Sequence, residues 1–148
     1  MKGTVVKRTI SLGLLLIGFI SLSACTPIYK FQTSEPKAKI LAMGFGDVTF
    51  CKDGSIYTPP ALALNRKIKF IPAEERITVI KNLSFSGYNV THYCNPRLSF
   101  IPKSGETYII NADLNGNQCF IEVVKSNGEK ETGVDIETTV DKPNCYAK

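Results

Sequence analysis

Residues 108–124, Tyr-Ile-Ile-Asn-Ala-Asp-Leu-Asn-Gly-Asn-Gln-Cys-Phe-Ile-Glu-Val-Val, carry the strongest structural signal in this chain of 148 residues. Apolar residues alternate with polar ones before Asn115-Gly116-Asn117 and again after it. Alternation with a period of two is typical of a β-strand with one buried face. Asn-Gly between two such runs indicates a hairpin, because both central residues of a type I′ turn need positive φ. The stretch therefore predicts two antiparallel strands joined by a tight turn.

Short alternating runs continue on both sides of this hairpin. They cover residues 48–50, 68–70, 76–80, 88–94, 98–100 and 134–140, with turn residues at 52–55 and 126–129. No segment keeps an apolar period of 3.6 residues, so no long helix is expected. About seven short strands separated by frequent turns are typical of an all-β, antiparallel β-sandwich. In the fourth run, the phase predicts that Tyr88, Val90, His92 and Cys94 face the core.

The amino terminus has the layout of an export signal. Basic residues at positions 2, 7 and 8 precede an apolar run, and the run ends in Leu22-Ser23-Ala24-Cys25. A charged start, an apolar centre and small residues before a cut site are the features of such signals. The stretch from Thr9 to Leu22 is fourteen residues long, whereas a membrane-spanning helix needs about 20. This layout resembles the signal peptide and lipobox of Gram-negative bacterial lipoproteins.

That resemblance implies a modification at Cys25. The signal peptidase would remove residues 1–24 after a diacylglyceryl group is attached to the Cys25 sulfur, and the new amine would be acylated. Each buried methylene contributes about 0.8 kcal/mol, and stable anchoring takes more than one chain. Thr26 is not the Asp that retains such lipoproteins at the inner membrane, so the resemblance implies an outer-membrane anchor and a periplasmic domain. The alternative is an ordinary signal peptide followed by a free Cys25.

Removal of the leader would leave residues 25–37 as a lipidated cysteine with a short tether, and residues 38–148 as one domain. The full chain carries 18 basic and 13 acidic residues, a formal net charge of +5. Three of the basic residues and none of the acidic ones lie within residues 1–24, so 15 and 13 remain and the net charge falls to +2. This weak, interspersed charge argues against a nucleic-acid partner.

Four cysteines remain in the predicted domain: Cys51, Cys94, Cys119 and Cys145. An even number in an exported chain predicts two disulfides, with three possible connectivities. Strand phase places Cys94 and Cys119 on the core side, whereas Cys51 is out of that phase and Cys145 lies in the tail. The phase therefore favours Cys94–Cys119 with Cys51–Cys145. A zinc site is disfavoured, because no two of these cysteines have Cys-x₂-Cys spacing.

The stretch from Ile71 to Val124 also contains a recognisable series of motifs. They are Ile71-Pro72-Ala73, Tyr93-Cys94-Asn95-Pro96, Leu98-Ser99-Phe100-Ile101-Pro102 and Gly105-Glu106-Thr107-Tyr108, followed by Cys119. The series resembles small Ig-like domains of proteobacterial lipoproteins, over about half of the mature chain. The resemblance implies an Ig-like sandwich and an envelope location, and it implies no catalytic residue.

The sequence contains none of the common hydrolase or nucleotide-binding motifs: no Gly-x-Ser-x-Gly, no His-Glu-x-x-His and no phosphate-binding Gly-rich loop. His92, the only histidine, is expected to be a hydrogen-bonded core residue, and Glu74-Glu75 a solvated turn. We therefore expect no catalytic residue, no metal and no cofactor. Tyr57-Thr58-Pro59-Pro60 and the apolar segment Ala61–Leu64 are expected either to cover the core or to contact a partner.

These observations favour a non-catalytic lipoprotein whose sandwich binds an envelope protein or a cell-wall component. Its forms include an accessory part of an envelope machine, a periplasmic immunity or inhibitor protein, and a cell-surface lipoprotein. The alternative is a periplasmic hydrolase or a glycan-active enzyme. The two classes differ in their surfaces. An enzyme needs a cleft that gathers polar groups, whereas a binding module shows apolar side chains on loops or an unpaired edge strand.

Overall fold

The computed structural model describes residues 25–44, 46–115, 118–126, 134–143 and 145 of the chain. The predicted signal peptide, residues 1–24, lies outside these ranges, as do Gly116 and Asn117 of the predicted turn. All the regular secondary structure in the described ranges is β-strand. These ranges therefore hold no helix long and apolar enough to cross a bilayer.

The described residues form ten strands in two sheets. The strands are β1 (Lys37–Ala42), β2 (Asp47–Lys52), β3 (Ser55–Tyr57), β4 (Ile68–Pro72), β5 (Ile77–Gly87), β6 (Val90–Cys94), β7 (Arg97–Phe100), β8 (Thr107–Asn115), β9 (Gln118–Ser126) and β10 (Val134–Ile136). The first sheet has the order β10-β9-β8-β1-β4. The second has the order β3-β2-β5-β6, with β7 also paired to β5.

The all-β sandwich predicted from the sequence is confirmed, with two differences in detail. The sequence indicates about seven strands, whereas the described residues form ten. The strands that the alternating runs do not include are β1 and the three-residue strand β3. The sequence also indicates antiparallel pairing throughout, whereas β1 runs parallel to β8. Parallel pairing joins segments distant in sequence and leaves no local turn signal. The Ig-like resemblance stays a prediction.

The core lies between the two sheets and follows from the alternation within each strand. On β8, for example, Tyr108 and Ile110 are fully buried while Ile109 between them is half-buried. Each large apolar side chain contributes about 1.5–3 kcal/mol when fully buried. The buried cluster consists of Ala38, Ile40, Val48, Phe50, Ile71, Ala73, Ile77, Val79, Leu98, Phe100, Tyr108, Ile110 and Val123.

Tyr108 also fixes the connection between the two sheets. Its ring packs edge-on against Phe100, with the ring centroids 5.1 Å apart. Its hydroxyl accepts a hydrogen bond from the backbone N–H of Lys103 at 2.9 Å. Residues 101–106 connect β7 in the second sheet to β8 in the first. A buried tyrosine that binds backbone a few residues upstream is a recurrent feature of sandwich corners.

The two lateral edges of the sandwich are closed in different ways. At one edge, β3 pairs with β2, and the chain then pairs with β4 through a bridge between Ala61 and Lys69. The run 55–62 thus belongs to both sheets, and we call this the β3–β4 edge. At the other edge, the Cys94–Cys119 disulfide joins β6 to β9 with a Cα–Cα distance of 6.4 Å. We call it the β6–β9 edge.

The second disulfide joins Cys51 to Cys145, with a Cα–Cα distance of 5.9 Å. Both disulfides therefore have the connectivity that strand phase favours. The Cys51–Cys145 bond holds the described carboxy-terminal residues, 137–143 and 145, against the second sheet. There, Ser99 forms a bridge with Asp141, and the Arg76 guanidinium donates to the Thr139 carbonyl at 3.1 Å. The segment gives the second sheet a cover on its outer face.

The predicted tether, residues 25–37, contacts the domain over most of its length. The Thr58 N–H donates to the Pro27 carbonyl at 2.8 Å, and the Tyr29 N–H donates to the Thr58 carbonyl at 3.0 Å. The Tyr29 ring packs against Phe50 and Tyr57, with centroids 5.2 and 5.1 Å away. Two prolines and the absence of a period make this segment look like a free linker in the sequence. Its partner Thr58 is too distant in sequence to be read from the pattern.

Candidate interaction site

Two hairpins extend past the end of the buried core. On β5 the last fully buried residue is Leu83, and on β8 it is Ile110. Beyond these positions the side chains are half-buried or exposed, over residues 84–93 of the β5–β6 hairpin and over residues 111–115 and 118–122 of the β8–β9 hairpin. We call these two segments the paired hairpins. They adjoin each other because β6 and β9 are joined by Cys94–Cys119.

The disulfide joins different positions of the two hairpins, because Cys94 lies where the β5–β6 hairpin leaves the core and Cys119 lies close to the outer end of the β8–β9 hairpin. Cys94 is paired with Leu83 on β5, and Cys119 is paired with Leu114 on β8. Both cysteines are half-buried, so the expectation that they are core residues is wrong even though their pairing is the favoured one. The bond limits how far the two hairpins can separate, because it links strands of different sheets.

The paired hairpins carry an unusual share of exposed apolar surface. Tyr88 is 96% exposed, Tyr93 76%, Val90 51% and Phe120 51%. These are half of the large, exposed apolar side chains in the described part of the chain. Single exposed apolar residues are ordinary on protein surfaces, but a group of them on adjoining loops and edge strands marks an interaction surface.

The backbone of the same region offers hydrogen-bonding groups. In the described residues, β6 pairs only with β5, and residues 118–123 of β9 pair only with β8. An edge strand presents a row of N–H and C=O groups that can pair with a strand from another chain. In this mode of recognition, backbone hydrogen bonds provide affinity and side-chain contacts provide specificity. The β6–β9 edge has both components.

A shallow groove of about 330 Å³ runs across the outer part of the β8–β9 hairpin. Its lining includes Asn111, Asp113, Phe120 and Glu122. The Asn111 amide donates to the Glu122 carboxylate at 2.9 Å, which fixes both side chains. The groove therefore combines an aromatic ring with two carboxylates and suits a mixed apolar and basic or polar contact.

The sequence places His92 in the core, and this expectation is wrong, because His92 is exposed. The same holds for Tyr88 and Val90, which the strand phase assigns to the core. Tyr88 and Asn89 form the turn between Gly87 and Val90, and Asn89 has a φ of 63°. The alternation is present in the sequence, but the hairpin extends beyond the first sheet, so no facing layer covers it.

Glu74 and Glu75 have separate structural roles. Glu74 accepts a hydrogen bond from the Ser104 N–H at 2.7 Å, and Glu75 forms an ion pair with Lys52. Among the described residues, no three His, Cys, Asp or Glu side chains are grouped closely enough to hold a metal ion. Cys25, the predicted lipidation site, is an exposed free thiol at the start of the described chain.

An ionic cluster that sequence reasoning missed fastens the amino-terminal segment to the domain. The Lys52 ammonium donates to Glu35 at 3.0 Å and to Glu75, and the Tyr29 hydroxyl donates to Glu35 at 2.5 Å. Burial raises the pKa of Glu35, but hydrogen bonds from Tyr29 and Lys52 outweigh it and bring the pKa below its ordinary value. Burial lowers the pKa of Lys52, but hydrogen bonds to Glu75, Tyr29 and Glu35 bring it well above the usual range. The cluster therefore stays charged at neutral pH.

Comparisons with protein-family models, with the curated proteins and with the solved structures found no match to this chain.

Proposed function

We propose that this protein is a lipoprotein anchored by Cys25 in the bacterial outer membrane and facing the periplasm. Its sandwich is a non-catalytic module that binds an envelope protein through the paired hairpins. The observation that carries the proposal is the group of exposed apolar side chains on those hairpins, Tyr88, Val90, Tyr93 and Phe120. Aromatic residues of this kind supply most of the energy in protein interfaces.

The arrangement of the two edges supports this reading. Cys25 shares a groove with Thr58 and Lys69 of the β3–β4 edge, and the groove extends to residues 47–49 of β2 and Asn82 of β5. The paired hairpins lie at the β6–β9 edge, on the other side of both sheets. A lipid on Cys25 would hold the first edge at the bilayer and leave the second edge accessible to a periplasmic partner. The unpaired strand edges there favour a partner that contributes an extended segment.

Cross-linking in living cells tests the binding site. A photoreactive phenylalanine analogue in place of Tyr88 is expected to give one adduct of discrete mass. A second substitution, Tyr93→Ser, should remove most of that adduct, because an aromatic anchor contributes about 2 kcal/mol, roughly a 30-fold change in affinity. Val140→Ser is the matched control, since Val140 is 45% exposed and lies outside the paired hairpins. Equal loss of adduct in both variants would contradict the proposed site.

Fractionation tests the anchor. The Cys25→Ser variant removes the thiol that would carry the diacylglyceryl group, so it is expected in the soluble periplasmic fraction. The unaltered protein should fractionate with outer membranes, because two or more acyl chains hold it there. Mass spectrometry of the unaltered protein should show acyl groups on Cys25. Membrane association that persists unchanged in Cys25→Ser would refute the anchor.

A further inference from the structure

The chain has little freedom between Cys25 and the domain. The hydrogen bonds between Pro27, Tyr29 and Thr58 fix its path from Pro27 onward. One residue, Thr26, separates Cys25 from that fixed path, and two residues span at most about 7 Å. If Cys25 carries lipid, the surface around it must therefore lie against the bilayer rather than on a stalk. This step depends on the proposed acylation of Cys25.

A projecting loop close to the groove of Cys25 is the connection between the run 55–62 and β4. Cys25 and Lys69 line the same groove, which has a volume of about 430 Å³. Lys69 is paired with Ala61, so residues 62–68 form a closed loop directly beside that groove. Hydrogen bonds from Leu62 to Ile68 and from Ile68 to Asn65 make the loop compact. We call residues 62–68 the anchor-side loop.

The anchor-side loop combines one fully projecting apolar side chain with positive charge. Leu64 is 97% exposed, the highest value among the large apolar residues of the described chain. Arg66 and Lys67 follow it and are both exposed, and Lys69 is close by. No acidic residue occurs between Asp53 and Glu74 in the sequence, and Asp47 is the one acidic residue among those that line the groove. Ile28, next to the anchor in sequence, is a further apolar residue with 64% exposure.

We propose that the anchor-side loop is a second membrane contact that orients the domain on an anionic phospholipid surface. Leu64 enters the headgroup and acyl boundary, while Arg66 and Lys67 bind lipid phosphates. Apolar residues flanked by basic ones are the composition of interfacial membrane contacts, and basic residues are attracted to anionic leaflets. A protein is a less suitable partner for this loop than a membrane. A single leucine followed by two basic residues cannot form the apolar centre of a protein interface.

A tryptophan reporter tests this contact. The chain contains no tryptophan, so Leu64→Trp introduces a single probe. Leu64 is almost fully exposed, so this substitution leaves the packing of the core unchanged. The acylated variant is purified from membranes and reconstituted into vesicles of phosphatidylethanolamine and phosphatidylglycerol that contain brominated lipid. The probe is expected to shift to shorter wavelength and to lose most of its emission by quenching. Tyr88→Trp, at the β6–β9 edge, is the matched control and should stay unquenched.

The outcomes separate this inference from the proposed anchor. Absence of acyl groups on Cys25 removes the anchor itself and is read by mass spectrometry. An acylated Leu64→Trp protein whose probe is no more quenched than that of Tyr88→Trp overturns the second contact while the anchor stands. Adding Arg66→Gln and Lys67→Gln to Leu64→Trp should reduce the quenching in anionic vesicles to the level in neutral ones. Quenching that is unchanged by Arg66→Gln and Lys67→Gln, and equal in anionic and neutral vesicles, would overturn the phosphate contact.

Discussion

Lys81 shows at the scale of one residue where sequence reasoning and structure diverge. Its position on β5 has the same parity as Ile77 and Val79, and it is fully buried like them. The residue type argues against burial, since lysines are rarely buried without a partner. Its ammonium donates to the Met43 carbonyl at 2.8 Å. The 43–46 loop can come this close because Gly46 has a φ of 89° and a side chain there would overlap the Asn82 carbonyl.

Burial lowers the pKa of Lys81, the charge of Lys69 lowers it further, and Asp47 partly opposes this. At pH values between this lowered pKa and 10.5, Lys81 is therefore protonated to a greater extent in the unfolded chain than in the folded one. The free energy of unfolding should therefore rise with pH across that window. Below the window Lys81 is protonated in both states, and this gain in stability is absent. Lys81→Met should stabilise the protein at pH 7 by about 1 kcal/mol, because it removes a buried charge.

Urea denaturation with intact disulfides, at neutral and at alkaline pH, measures both effects. The Lys81→Met variant should show a smaller rise in stability with pH than the unaltered protein. Lys39→Met is the matched control, because Lys39 lies exposed on β1, and surface substitutions usually change stability by less than about 0.5 kcal/mol. An unchanged pH slope in Lys81→Met would show that Lys81 does not titrate differently in the folded state.

At the scale of the element, the sequence predicts what is encoded locally. The strands of the hairpin at residues 108–124 are confirmed, because alternation and turn residues adjoin in the sequence. The paired residues nearest the turn are Asn115 and Gln118, and Gly116 and Asn117 of the predicted turn lie outside the described residues. The β5–β6 hairpin was also predictable as strands, but its exposure was not, since burial depends on the length of the facing sheet.

Elements that depend on distant residues are the ones the sequence does not reveal. The amino-terminal segment is held by Tyr29 and Glu35, while their partners Lys52 and Glu75 come from β2 and from the residues before β5. None of these residues belongs to a periodic pattern. The same reason hides the parallel pairing of β1 with β8. The candidate site is predictable only in part: strand phase assigns its two cysteines, Tyr88 and Val90 to the core, and it makes no such assignment for Tyr93 and Phe120.

At the scale of the whole molecule, the two disulfides have different tasks. Cys51–Cys145 closes a segment with a sequence separation of 94 and is almost fully buried, whereas Cys94–Cys119 has a separation of 25 and joins the base of the β5–β6 hairpin to the outer end of the β8–β9 hairpin. The first holds the carboxy-terminal cover on the second sheet. The second holds the candidate binding surface together. Stability and partner binding should therefore respond differently to the loss of each bond.

Loop-closure entropy predicts a loss of roughly 4.7 kcal/mol for Cys51→Ala with Cys145→Ala, and roughly 3.5 kcal/mol for Cys94→Ala with Cys119→Ala. Urea denaturation should therefore rank the Cys51–Cys145 bond as the more stabilising by about 1 kcal/mol. The yield of the photo-cross-link from position 88 should fall more on loss of Cys94–Cys119 than on loss of Cys51–Cys145. Only the Cys94–Cys119 bond fixes one hairpin against the other. Each double variant is the control for the other. A Cys94→Ala, Cys119→Ala protein that stays folded and cross-links at the unaltered yield would show that the partner does not need the two hairpins held together.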